Sequence, residues 1–183
     1  AQESRGLGDV YKRQQKEFDV AAWGKLYRLD TLKDVTFPEG LIHEDIPTTY
    51  KALLKCNKVA YTSEELYRYQ IRENSIENEK FTPKKMDCIV TSQMMLDDIE
   101  KNYPEFVAAA RSRYFAAQFH ILAQINEDIP EKKIIINNIK KIRGKLIKDS
   151  SASIRVRGAC LLSYFGFNFT VKILNKMNKH KYI

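Results

Sequence analysis

Cysteine is scarce: the 183 residues hold three, Cys56, Cys88 and Cys160. An odd number spread that far apart offers neither a disulfide framework nor the Cys-x-x-Cys spacing of a metal site. It fits a reducing, cytoplasmic setting. Long apolar runs are missing as well, since no stretch reaches the roughly 20 residues a membrane-spanning helix needs. The longest uncharged stretch near the C-terminal end, Gly158 to Val171, is too short. The first residues lack the basic and apolar regions of a signal peptide. What is present argues against disorder: 44% hydrophobic and 11% aromatic residues suffice for one ordinary core.

Acidic residues are also thin at one end, and this makes the formal charge of +8 uneven. Residues 131–183 carry 13 Lys and Arg against 2 Asp and Glu, a net of +11, whereas residues 1–130 hold the remaining 18 and 21, a net of −3. The basic end points to an anionic partner, either membrane lipid or nucleic acid, unless it is simply the solvated face of surface helices.

Residues 1–14 read as a non-native leader, because Asp9-Val10-Tyr11-Lys12-Arg13-Gln14 resembles the translation of a transposon end used in sequencing-library preparation. A flexible native terminus is the alternative. From Phe18 to Tyr27 the aromatic and β-branched content suits a strand or extended segment, and Leu29 to Val35 suits one or two helical turns. Phe37-Pro38-Glu39-Gly40 predicts a turn. A helix is expected just after Glu44-Asp45, with Pro47 in its first turn and Tyr50, Leu53, Leu54 and Cys56 as its apolar stripe. Lys58–Thr62 and Leu66–Arg72 look like two short strands of a small sheet.

Beyond Thr82-Pro83 apolar residues recur at helical spacing. Met86, Ile89, Val90, Met94 and Leu96 lead to Val107, Tyr114, Phe115, Leu122 and Ile125, with Pro104 and Pro130 as punctuation. Ile135, Ile139, Ile142 and Leu146 follow an i, i+4, i+7, i+11 pattern, and a last helical region covers Ile154 to about Lys176. The expected fold class is therefore an α/β fragment, a small sheet plus helices over residues 15–81, followed by an all-helical basic extension over 82–183.

Four motifs stand in order between residues 23 and 76: Trp23-Gly24-Lys25-Leu26-Tyr27, Phe37-Pro38-Glu39-Gly40, His43-Glu44-Asp45 and Arg72-Glu73-Asn74-Ser75-Ile76. The set resembles the C-terminal half of the catalytic domain of family 2 glycosyltransferases, the GT-A-fold enzymes that build bacterial cell-envelope polysaccharides. The resemblance covers about residues 18–81 and extends loosely into the helical remainder. It implies sugar transfer from a nucleotide-sugar donor to a hydroxyl of a glycan or lipid-linked acceptor.

Inverting transfer needs a base that takes the acceptor proton while that oxygen attacks the anomeric carbon. The resemblance assigns this role to Asp45, and a helix N-terminus would keep its carboxylate ionised. A plain helix cap is the competing account. Glu44 would fix the acceptor or the base. His43 would bind acceptor hydroxyls or a phosphate, or be an ordinary loop histidine. Trp23 offers a flat face to a sugar ring or to the core, and Lys25 would meet a phosphate.

Arg72, Asn74 and Ser75 fall where the family has a loop that closes over the donor, so Arg72 would pair with the pyrophosphate. Gln70 and Gly24 depart from the commoner Arg and Asn. The resemblance further implies a divalent metal, Mg or Mn, but no Asp-x-Asp occurs in the chain to hold it. The 183 residues alone are therefore expected to lack transferase activity, the donor half being supplied by a longer parent. No Gln-x-x-Arg-Trp of processive synthases occurs either, which favours addition of a single sugar.

The tail, from Ser153-Ile154-Arg155 through Tyr164-Phe165-Gly166-Phe167 to Lys181, suits a helix lying in an anionic membrane interface, on the inner face of the cell membrane. Packing of its apolar side on neighbouring helices is the alternative. A non-catalytic basic helical module that binds anionic membrane or nucleic acid remains a different reading of the whole chain.

Overall fold

The computed structural model describes residues 2–3, 21–62, 64, 66–68, 70, 79–150 and 152–179. The chain divides into two compact units, Ala1–Lys80 and Phe81–Ile183.

In the first unit the described residues form little regular structure. A short helix, α1 (Leu29–Leu32), packs on a longer one, α2 (Ile46–Leu54). Thr31 anchors α1 by donating its hydroxyl to the carbonyl of Arg28 at 2.7 Å. The Lys55 ammonium, just past α2, donates to the carbonyl of Lys33. Pro47 sits in the first turn of α2, where a missing N–H costs nothing. Ile46, Tyr50, Ala52 and Leu53 are buried, whereas Leu54 and Cys56 are only half-buried.

Among the described residues the expected small sheet is not there. Strand pairing among the described residues amounts to two residues against two: β1 (Gln2–Glu3) runs antiparallel to β2 (Ala60–Tyr61), with Gln2 opposite Tyr61 and Glu3 opposite Ala60. Residues 21–27, expected to be extended or strand, contain bends and no strand, and residues 66–68 and 70 are unpaired and exposed. The physical reason is burial. A strand is held by side-chain packing on a half-buried pleated face, and β propensity without that face decides little. Leu66 at 76% and Tyr67 at 53% exposure have no such face. The α/β assignment is thus corrected: the described fold is mostly helical.

The described residues of the second unit form five α-helices: α3 (Asp87–Asn102), α4 (Val107–Leu122), α5 (Pro130–Lys148), α6 (Ile154–Leu162) and α7 (Phe167–Lys179). Each packs on the next, and α4 also meets α6. Short 3-10 turns at Pro83–Met86 and Pro104–Phe106 lead into α3 and α4. Pro104 explains where α3 stops. The residue before a proline is driven out of the α region, and Tyr103 sits at φ −142°, ψ 62°.

Along α3, Cys88, Thr91, Ser92, Met95, Leu96 and Ile99 form one buried stripe. Val90 and Met94, although apolar, lie on its exposed side. Helix α4 is buried on most sides, from Ala110 through Phe115, Gln118 and Ile121, as expected of a helix with three helical neighbours. Ile135, Ile139 and Leu146 of α5 are fully buried; Ile142 is only half-buried. Ser153 caps α6, its hydroxyl accepting from the Val156 N–H at 3.3 Å. Buried Lys85 donates to Gln124 Oε1 at 2.8 Å and so ties the first 3-10 turn to the end of α4. No helix among the described residues is long and apolar enough to cross a membrane.

Candidate functional site

Left-handed backbone recurs in the first unit, at Asp34 and again in the segment that leads into α2. Gly40 adopts φ +74°, and three residues later His43, which has a side chain, adopts φ +61°. A non-glycine residue in the left-handed region is strained, and such strain survives where the surroundings enforce it. Here the His43 carbonyl accepts from Ile46 N–H at 3.2 Å, and the Asp45 carbonyl accepts from Thr48 and Thr49 N–H at 3.2 and 2.8 Å. The Thr48 hydroxyl donates to the Glu44 carbonyl at 2.7 Å and reaches the Thr36 carbonyl at 3.4 Å. His43, Glu44 and Asp45 are thereby fixed as a turn at the head of α2, all three half-buried.

Asp45 occupies the position where a capping side chain would stand, yet its backbone is already helical and its carboxylate makes no cap hydrogen bond. Most N-cap residues are extended and accept from the second or third helical N–H. The cap account of this carboxylate therefore does not hold.

Tyr27 brings the earlier Trp23–Tyr27 segment against α2. Burial raises the pKa of its phenol, the Thr49 hydroxyl lowers it, and the charges of Cys56 and Asp45 raise it further. The phenol is therefore held protonated, as a donor within electrostatic reach of the Asp45 carboxylate. The Tyr27 and Thr49 hydroxyls are near enough to influence one another, but neither meets hydrogen-bond geometry with a partner among the described residues. Thr49 is only 2% exposed. Buried hydroxyls without a well-formed hydrogen bond are costly for folding alone. Sequence reasoning did not single out Tyr27 and Thr49 as site residues. The available signal was helical spacing, because Thr48 and Thr49 follow Asp45 by three and four residues and so share its side of α2.

The remaining expected residues are placed differently. Trp23 is 47% exposed and stacks on Tyr67, ring centroids 5.2 Å apart at 21°. It is not a core residue. Gly24 turns the chain beneath that stack with φ +68°. The Lys25 ammonium donates to the Ala21 carbonyl at 2.6 Å, an anchor for the loop. Arg72, Asn74 and Ser75 lie outside the described residues. Among the described residues no three His, Cys, Asp or Glu side chains converge as metal ligands.

No protein-family model matches the chain, and no solved structure matches it. Among curated proteins it is similar to "Glycosyltransferase GlyA" of Streptococcus pneumoniae serotype 4 (strain ATCC BAA-334 / TIGR4), at 34% identity over 84 residues. The match covers 45% of this chain and 12% of that relative. Over part of its length, the chain is related to a glycosyltransferase.

Proposed function

We propose that this chain supplies the acceptor side of an inverting glycosyltransferase of family 2 type, with Asp45 as the general base. One observation carries the reading: the Asp45 carboxylate stands at the start of α2 without a cap hydrogen bond, its charge reaches the buried Tyr27 phenol, and Thr49 follows one turn along the same side of the helix. The ordered motifs from Trp23 to Ile76 and the partial similarity to a glycosyltransferase support it.

In this reading an acceptor hydroxyl gives its proton to Asp45 while its oxygen bonds to the anomeric carbon. The bond from that carbon to the nucleotide diphosphate breaks on the opposite face, and the electron pair leaves with the phosphate oxygen. Tyr27 and Thr49 hydrogen-bond the acceptor and hold it in line. His43 and Glu44 border the same position, Trp23 offers its exposed face to a sugar ring, Lys25 meets a phosphate of donor or acceptor, and Arg72, Asn74 and Ser75 serve the donor side. No Asp-x-Asp occurs in this sequence, so other residues of the full-length transferase would hold Mg or Mn.

The test is Asp45→Asn in the full-length transferase that carries this segment, assayed with a nucleotide sugar and acceptor. Loss of a general base lowers kcat by on the order of 10²- to 10⁴-fold while donor affinity stays in place. Undiminished turnover would remove the proposal.

A further inference from the structure

After Asp149 the chain has no acidic residue, yet it carries Arg155, Arg157, Lys172, Lys176, Lys179 and Lys181. Within that basic stretch the corner joining α6 to α7 exposes its largest apolar side chains. Phe165 is 81% exposed, and Leu161, Tyr164 and Phe169 are each more than half exposed.

The corner is built to keep those side chains outward. The Ser163 hydroxyl donates to the Cys160 carbonyl at 2.6 Å, while Tyr164 and Phe165 N–H donate to the Leu161 and Leu162 carbonyls at 3.1 and 3.0 Å. The Arg143 guanidinium, from α5, donates to the Ser163 carbonyl at 2.9 Å and lies over the Tyr164 ring, 3.6 Å from its centroid. Gly166, at φ +133°, allows the reversal that a side chain would resist. Its carbonyl is taken up by the Thr170 N–H and hydroxyl, at 3.0 and 2.8 Å. These backbone groups are satisfied internally, so the corner can leave water without stranding them.

On α7, Phe169, Lys172 and Lys176 fall at i, i+3 and i+7, one face of the helix, and all three are exposed. Thr170 points to another side of the helix and is fully buried. An aromatic ring at the corner thus continues into two ammonium groups along the same exposed face.

We propose that the α6–α7 corner docks this protein on the anionic surface of a lipid bilayer, with Leu161, Phe165 and Phe169 entering the acyl boundary and Lys172 and Lys176 meeting anionic headgroups. Charge complementarity selects the surface, and the projecting apolar side chains require an apolar layer beneath it. A base-stacking site for single-stranded nucleic acid would instead set its rings along a positively charged groove. The inference stands apart from the catalytic reading of Asp45, so either can fail alone.

The test uses the full chain with vesicles of phosphatidylcholine alone and of phosphatidylcholine with phosphatidylglycerol. Sedimentation with the anionic vesicles only is expected, and Phe165→Trp should give a blue-shifted emission there. Phe165→Ser with Phe169→Ser should weaken binding roughly tenfold or more per ring, with helical circular dichroism unchanged. Lys172→Gln with Lys176→Gln should weaken it on the order of fivefold per charge. Equal binding to both vesicle types, or full binding by the double Ser variant, overturns the proposal. So does binding to a single-stranded oligonucleotide, or self-association, that those Ser substitutions abolish while vesicle binding is absent.

Discussion

Arg143 and Ser163 are joined across α5 and the end of α6 by two hydrogen bonds, from one guanidinium nitrogen to the Ser163 carbonyl at 2.9 Å and to its hydroxyl at 3.2 Å. The same guanidinium covers the Tyr164 ring. A planar, delocalised cation performs both tasks at once, which an ammonium on a flexible stem does not.

Arg143→Lys should therefore destabilise the second unit by about 1–3 kcal/mol, from loss of the stacking and of charge-assisted hydrogen bonds. A urea denaturation midpoint measures it. A fall no larger than that of a surface substitution would show that the pair is ornamental.

Core truncations should separate the two kinds of apolar residue on these helices. Ile139→Ala removes a fully buried side chain and should cost about 2–5 kcal/mol. Val90→Ala, on the exposed side of α3, should stay within about 0.5 kcal/mol. Thermal unfolding of the two variants gives the comparison.

This contrast also shows what the sequence could and could not carry. Ile135, Ile139 and Leu146 recur at helical spacing, and a helix buries that stripe against whatever neighbour it finds. Val90 and Met94 share the apolar character of Ile89 and Leu96, but which of them faces inward depends on where α4 lies. The start of α2 could be read from Pro47 because proline acts locally. The sheet expected around Val59 and Tyr67 could not, because propensity contributes little where no face is buried. Tyr27 and Thr49 are 22 residues apart, and only folding places one hydroxyl near the other. Trp23 on Tyr67 is a tertiary relationship of the same kind.

Thiol reactivity should follow burial. Cys160 is fully buried, and burial pushes its thiol up from 9.0 to about 12, with Arg143 pulling the other way. Burial also raises Cys56, which remains partly accessible. Alkylation of the native protein at pH 8 should label Cys56 first and leave Cys160 unlabelled until denaturant is added. Because the folded pKa of Cys160 is raised, its contribution to stability is complete below pH 9 and is lost as pH climbs toward about 12. Cys160→Ala should blunt that alkaline loss. Rapid native labelling of Cys160 would contradict the packing of α5 on α6.

The Tyr27–Thr49 pair offers the sharpest separation of stability from function. Each hydroxyl is buried without a geometric hydrogen bond, and replacing both members of such a pair by apolar groups of similar shape is close to neutral or stabilising. Tyr27→Phe combined with Thr49→Val should therefore unfold at the same urea concentration as the parent or a higher one. If the two hydroxyls serve an acceptor, the same double variant in the full-length transferase should raise KM for the acceptor and leave KM for the nucleotide sugar unchanged. Alkaline titration adds an independent check. Tyr27 holds its proton above the ordinary value of 10.0, chiefly through burial, so its share of stability is present below pH 10 and is lost as pH rises through the raised value. Tyr27→Phe should remove that loss, and a phenolate absorbance difference between parent and variant would locate it. A double variant that is plainly less stable would mean that the hydroxyls are satisfied after all. An unchanged acceptor KM would detach them from the acceptor and leave Asp45 without its neighbours.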